Sequence, residues 1–316
     1  MRSPYLPIFL SYLSVLILYV FTINFISTLV FGIDPFEYFR ILLIFGAAYY
    51  LLGYLISPLA IKLAYSLKEP ASLEDTLKEK AIRLEKKVRE YCDAFKISRL
   101  KFYIADVDFP NAFAFSHILF GNYVVVTKNA LEILENDELE AVVLHELGHI
   151  KHKDSYIMLI LLLAPFIMEI IIRISVYRLF LWPSKNEKSK SFFIDFIMGT
   201  ITLPFYIALL AIIYFLNRRR EVKADLFSKN VIGGIPLAKA LIKITNYIEK
   251  NNLSLSENSI RSFYFALNSK KNAMIIGNLN DEELVNALKL LKNVDERSGI
   301  FDTHPTIFER LKYLLD

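Results

Sequence analysis

The chain has 316 residues, of which 54% are hydrophobic, and a mean hydropathy of +0.38, which excludes an ordinary soluble domain. A formal net charge of +4 gives no electrostatic case for binding nucleic acid. With Cys92 as its one cysteine, the chain cannot build an internal disulfide framework, and Cys92 itself reads as a semi-buried helix residue.

Four apolar stretches organise the chain. The first, from about Leu6 to Val30, carries no charge. It exceeds the roughly 20 residues that a spanning helix needs. A signal peptide would have a shorter apolar core and a cleavage site after it, so an uncleaved span is expected. The second runs from about Ile41 to Ala64, after a turn around Gly32, Asp34 and Pro35, and pairs with the first as a hairpin.

A polar segment, about residues 67–154, follows. Leu77, Ala81, Leu84, Val88 and Tyr91 recur at helical spacing and predict a charged helix from Leu73 to Phe95. Leu100–Ala105, Asn111–Phe115 and Tyr123–Thr127 read as strands, the last two separated by a turn at Gly121–Asn122. A helix is predicted from Asp137 to about Lys153.

The third stretch, Tyr156–Trp182, contains Pro165 and the pair Glu169 and Arg173. These two share a helix face and read as an ion pair or as a substrate or gating site. The fourth, Phe192–Leu216, carries Asp195 near its start and Pro204 inside. From Asn217 to Asp316 the pattern is helical, with breaks at Gly233–Gly234 and around residues 251–258. The expectation is a mainly α membrane protein with about four transmembrane helices and an α+β domain with a small sheet. Its parts are a membrane hairpin (1–66), a first polar part (67–154), a second apolar hairpin (155–216) and a second polar part (217–316).

Chemistry is concentrated in His145-Glu146-Leu147-Gly148-His149, an H-E-x-x-H run. Histidines four apart share a helix face, so both imidazoles can reach one zinc ion at about 2.0–2.1 Å. Glu146 then suits a general base acting on an activated water. Two histidines need a third protein ligand. Glu221 is the best candidate, because the hairpin between the two polar parts returns the chain to the same membrane side. Asp225, one turn further on, is placed to hold a ligand histidine in one tautomer.

In these residues the chain resembles the HtpX-type membrane zinc metalloproteases, relatives of the CAAX prenyl endopeptidases. The matching features are two N-terminal spans, Asn111-Ala112-Phe113-Ala114, H-E-x-x-H at 145–149, an apolar hairpin, Glu221 with Asp225, and Thr303-His304-Pro305. Val222 departs from the aromatic expected there. The resemblance implies a zincin-like domain holding one Zn2+ through His145, His149 and Glu221, with Glu146 as catalytic base. It further implies cleavage of protein or peptide substrates, chiefly membrane proteins, in quality control or stress response. A prenyl-protein endopeptidase and a non-catalytic scaffold with a relict zinc site are the alternative readings.

Asn111, Ala112, Phe113 and Ala114 are expected as an edge strand that takes substrate through its backbone, or as an ordinary sheet edge. His304 is expected as a helix-start residue, as an oxyanion stabiliser, or as a group resting on the zinc. His152, between Lys151 and Lys153, reads as an interfacial cation. Lys and Arg near the span ends are in excess on the side of the motif, so the site is expected to face the cytoplasm from a multi-pass position in the cell membrane.

Overall fold

The computed structural model describes residues 35–161, the positions 164, 165, 168, 169, 172 and 175, and residues 190–251 and 304–315. The first apolar stretch, most of the third with its Glu169–Arg173 pair, and the region 252–303 lie outside the described residues. Two compact units are present, one holding the first described helix and the other the remaining elements.

The first unit contributes α1, Pro35–Ala64. Proline at a helix start loses no hydrogen bond, because the first N–H groups of a helix have no internal partner. Ile44, Leu59 and Leu63 are exposed on it, so its apolar surface is not spent on a protein core.

The second unit begins with a 3-10 turn at Pro70–Ser72 and α2, Asp75–Phe95. Ala81, Leu84, Val88 and Cys92 form its buried stripe. Burial pushes the Cys92 thiol up to about 11. Lys96 ends α2 in the left-handed region, at φ 57°. Strands β1 (Leu100–Ala105), β2 (Ala112–His117) and β3 (Gly121–Thr127) form a mixed sheet in the order β1-β3-β2. β1 runs parallel to β3, and β2 antiparallel to it. The hairpin turns at residues 118–120, three residues earlier than the Gly-Asn signal suggested. Gly121 and Asn122 instead belong to β3, paired with His117 and Ser116.

Four helices frame the site: α3 (Lys128–Ile133), α4 (Asn136–Lys151), α5 (Asp154–Leu161) and α6 (Lys190–Ile232). α6 is one helix of 43 residues, about 65 Å long at 1.5 Å per residue. It continues through Pro204 and through the boundary expected at residue 216, so the fourth apolar stretch and Glu221 share one rod. α1 and α6 each contain a stretch long and apolar enough to cross a membrane, Ile44–Ala64 and Thr200–Ile232. Among the described residues, two of the four stretches expected to span are thus helices of sufficient length and apolarity.

Gly233, at φ 86°, ends α6 in a conformation that favours glycine. α7 (Ile235–Lys250) and α8 (Ile307–Leu315) complete the unit. Gly234 lies under the end of α8: a Cβ there would sit 1.9 Å from the Leu314 carbonyl oxygen. Because that obstacle is backbone, Gly234→Ala is expected to destabilise the fold by about 1–3 kcal/mol or more. An unchanged thermal midpoint of the detergent-solubilised protein would contradict this close approach.

Candidate active site

α4 starts with a reciprocal cap between Glu135 and Glu138. The buried Glu138 carboxylate is held by Lys243 of α7 at 2.8 Å. Leu139, Val142, Val143 and Leu147 bury the helix in the core. α6 crosses it at Gly148, where a Cβ would be 3.2 Å from both Ala224 Cα and Phe227 Cβ. Ser228 Oγ also donates to the Ala141 carbonyl at 2.8 Å. This crossing brings Glu221 and Asp225 against His145 and His149.

The two histidine Nε2 atoms are 3.1 Å apart. Glu221 Oε2 is 3.6 Å from His145 Nε2, and Oε1 is 3.6 Å from His149 Nε2. Both Nδ1 atoms are engaged by carboxylates, His145 with Asp225 at 2.8 Å and His149 with Asp154 at 2.6 Å. If each Nδ1 carries the proton, two Nε2 lone pairs face each other beside a carboxylate. That arrangement is unfavourable without a cation. Ligands of a tetrahedral zinc are about 3.3–3.4 Å apart for bonds of 2.0–2.1 Å. His145, His149 and Glu221 thus fit one metal ion by donor type and spacing, and their ligand atoms all lie within 4.8 Å of one another.

Glu146 is buried beside this cluster. Burial pushes its carboxyl up to about 8; Glu221 adds to the rise, while His149, the Ala114 N–H and Arg310 oppose it. The Ala114 N–H is near enough to the Glu146 carboxylate to lower it, and β2 packs against α4, so the strand lies beside the motif. Sheet order makes β2 an edge strand. The Asn111 N–H and C=O, however, are both committed to Thr127, at 2.8 and 2.9 Å. The outward-facing backbone of this segment therefore starts at Ala112.

His304 Nδ1 is 3.6 Å from Glu221 Oε1, so this residue, three before the start of α8, is at the cluster. For Glu221, burial raises the carboxyl, but His304, His145 and His149 outweigh it and hold it well below its ordinary value. His152 lies 6.0 Å from Phe227, ring to ring, and burial lowers it, so the expected interfacial cation is replaced by a half-buried ring that favours its neutral form.

Three residues of the site were not singled out from the sequence. Arg310 is fully buried and grips Asp225 with two nitrogens, Nε at 2.8 Å and Nη2. Its Nη1 lies 3.9 Å from Glu221 Oε2. α8 aims it inward from a cap in which Thr306 and Glu309 bond each other's backbone N–H groups, both at 3.2 Å. Asp154 is buried and lies 3.0 Å from Arg220 Nε. Each histidine is thus backed by an Asp–Arg pair. The available signal was a lone acid at the entry of an apolar stretch, five residues after His149.

Comparison with known proteins agrees with this geometry. Residues 78–316 match the model of peptidase family M48. A protease HtpX homolog of Aeropyrum pernix is 28% identical over 273 residues, covering 84% of this chain and 82% of that protein. A homolog from Picrophilus torridus is 29% identical over 290 residues, covering 90% and 87%. One from Methanothermobacter thermautotrophicus is 33% identical over 208 residues, covering 65% and 72%. The crystal structure of S. mikatae Ste24p shares the fold, with a TM-score of 0.54 at 17% identity, over 94% of this chain and 67% of that one. The chain belongs to peptidase family M48, as a protease of the HtpX type.

Proposed function

We propose that this protein is a membrane-embedded zinc endopeptidase that cleaves membrane or membrane-proximal proteins, with a role in protein quality control. The observation that carries the reading is the triangle of His145, His149 and Glu221 with Glu146 beside it. When bound, zinc supplies Lewis-acid polarisation of water and of the scissile carbonyl, and its double charge favours the ionised form of the neighbouring Glu146.

Glu146 accepts the proton of the attacking water and returns it to the leaving amine. Asp225 and Asp154 fix the imidazoles so that both Nε2 atoms would be free to hold a bound metal. His304, beside Glu221, is placed to donate to the developing oxyanion. Ala112 and the carbonyl of Ala114, on the outer edge of β2, take an extended substrate segment by backbone pairing, while the Ala114 N–H stays with Glu146.

Lys151, Lys153, Arg218, Arg219, Arg220 and Lys223 cluster where the apolar stretches meet the site, which supports a cytoplasmic catalytic face. In right-side-out spheroplasts a cysteine at exposed Lys153 is expected to stay unlabelled by an impermeant maleimide until the membrane is opened. Labelling of intact cells would reverse the assigned orientation. Zinc-loaded protein is expected to cut a destabilised model membrane protein at internal bonds, read by mass spectrometry of the fragments. Fragments arising only by trimming from an end would overturn the endopeptidase reading.

A further inference from the structure

The β2–β3 hairpin turns through Ile118-Leu119-Phe120, which are 57%, 59% and 46% exposed. Hairpin tips are ordinarily made of Gly, Asn, Asp or Ser. Three consecutive large apolar side chains in water are a cost that nothing in the hairpin requires. The polar backbone of the tip is hydrogen-bonded within the protein. Arg99 donates to the carbonyls of Ile118 and Leu119, each at 3.3 Å. His117 Nδ1 accepts from the N–H groups of Leu119 and Phe120, at 3.2 and 3.3 Å. Gly121 closes the turn at φ 89°, where a Cβ would be 2.5 Å from the Arg99 carbonyl oxygen. An apolar exterior over a hydrogen-bonded backbone is what entry into a low-dielectric phase demands.

The direction of the tip follows from two contacts along β2. Ala114 meets Glu146 at the site. Two residues on, the Ser116 N–H donates to Ser155 Oγ at 3.1 Å. Ser155 is the second residue of α5, which leads into the third apolar stretch. Its neighbour Asp154 pairs with Arg220, one of three consecutive arginines that follow the apolar run of α6. Ser155, Asp154 and Arg220 therefore mark the level at which both helices change from polar to apolar sequence. β2 reaches that level at Ser116, and the chain from Glu146 to Ser155 travels alongside it. Residues 118–120 lie beyond.

We propose that Ile118, Leu119 and Phe120 form a wedge seated in the boundary between lipid headgroups and acyl chains. Such insertion reaches about 5–10 Å below the surface. It ties the edge strand over Glu146 to the bilayer surface, and the exposed Arg99 at its root meets anionic headgroups. This inference rests on the membrane-embedded reading, and its test separates the two.

Full-length protein carries an environment-sensitive fluorophore at one introduced cysteine: Leu119→Cys, Ile160→Cys or Glu79→Cys. Cys92 is buried and stays in place. Wild type taken through the same labelling gives the background. Ile160 is 72% exposed on α5, and the Glu79 side chain is 84% exposed on α2. Each sample is reconstituted into phosphatidylcholine–phosphatidylglycerol vesicles and quenched by iodide or by lipid with a nitroxide at acyl carbon 5. The label at 119 is expected to be quenched by the lipid several-fold more than the label at 79, and shielded from iodide. A label at 119 that behaves as the one at 79, while the one at 160 is quenched by lipid, overturns the wedge and leaves the membrane reading standing. Shielding from iodide without lipid quenching also overturns it, in favour of a protein contact. Absence of lipid quenching at both 119 and 160 overturns the membrane reading as well.

Discussion

Glu146→Gln is expected to slow peptide hydrolysis by about 10²–10⁴-fold while leaving zinc bound. The amide matches the carboxylate in size and keeps an oxygen for the Ala114 N–H. It cannot take a proton from water at neutral pH. Glu146 is not among the three residues whose ligand atoms converge, so metal content should remain that of wild type. Cleavage rate and metal content, measured on one preparation, separate loss of the base from loss of the site. A variant that cleaves at the wild-type rate would remove Glu146 from the proposed mechanism.

Arg310→Met is expected to destabilise the fold by about 3–5 kcal/mol and to weaken zinc binding by about 10–100-fold. Arg310 is fully buried, and its guanidinium faces Asp225 and Glu221. For Asp225, burial raises the carboxyl, but Arg310 and His145 outweigh it and hold it below its ordinary value. Removing the guanidinium leaves that carboxylate buried with His145 as its main partner. The distinguishing result is a double variant, Asp225→Leu with Arg310→Met. Because it removes both charges, it should lose less stability than the sum of the single variants. Additive losses would mean that the pair does not act as a unit. Chemical denaturation reads the stability, and competition with a zinc-binding dye reads the affinity.

The chemistry that lies within one helical turn was legible in the sequence. His145 and His149 are four apart on α4, and Glu221 and Asp225 are four apart on α6. Those spacings fix a shared face without knowledge of the fold. That the two pairs meet was inferred from the hairpin between them; Glu221 lies 3.6 Å from the Nε2 atoms of both histidines. Arg310 was not legible, because its partner Asp225 is 85 residues away and the link depends on the crossing of α6 and α8. The buried stripe of α2 and the strand β1 followed from local periodicity. The hairpin turn was misplaced for a physical reason: Gly121-Asn122 carries turn chemistry, but the turn itself is built from apolar residues capped by Arg99 and His117. Both sides of Leu216 read as helical, but that α6 runs through it as one rod was not read from the sequence. A change from apolar to basic sequence marks a change of solvent around a helix, not its end.

The central claim, that His145, His149 and Glu221 hold the zinc that makes this chain a protease, is tested most directly by zinc titration. Protein stripped with phenanthroline is mixed with increasing zinc, and bound metal and cleavage of a model membrane protein are followed together. No cleavage is expected at zero zinc, then a linear rise and a plateau at one equivalent per chain. Glu221→Ala is expected to fall short of that plateau at the same zinc concentrations. Cleavage by the stripped protein, or a wild-type titration by Glu221→Ala, would contradict it.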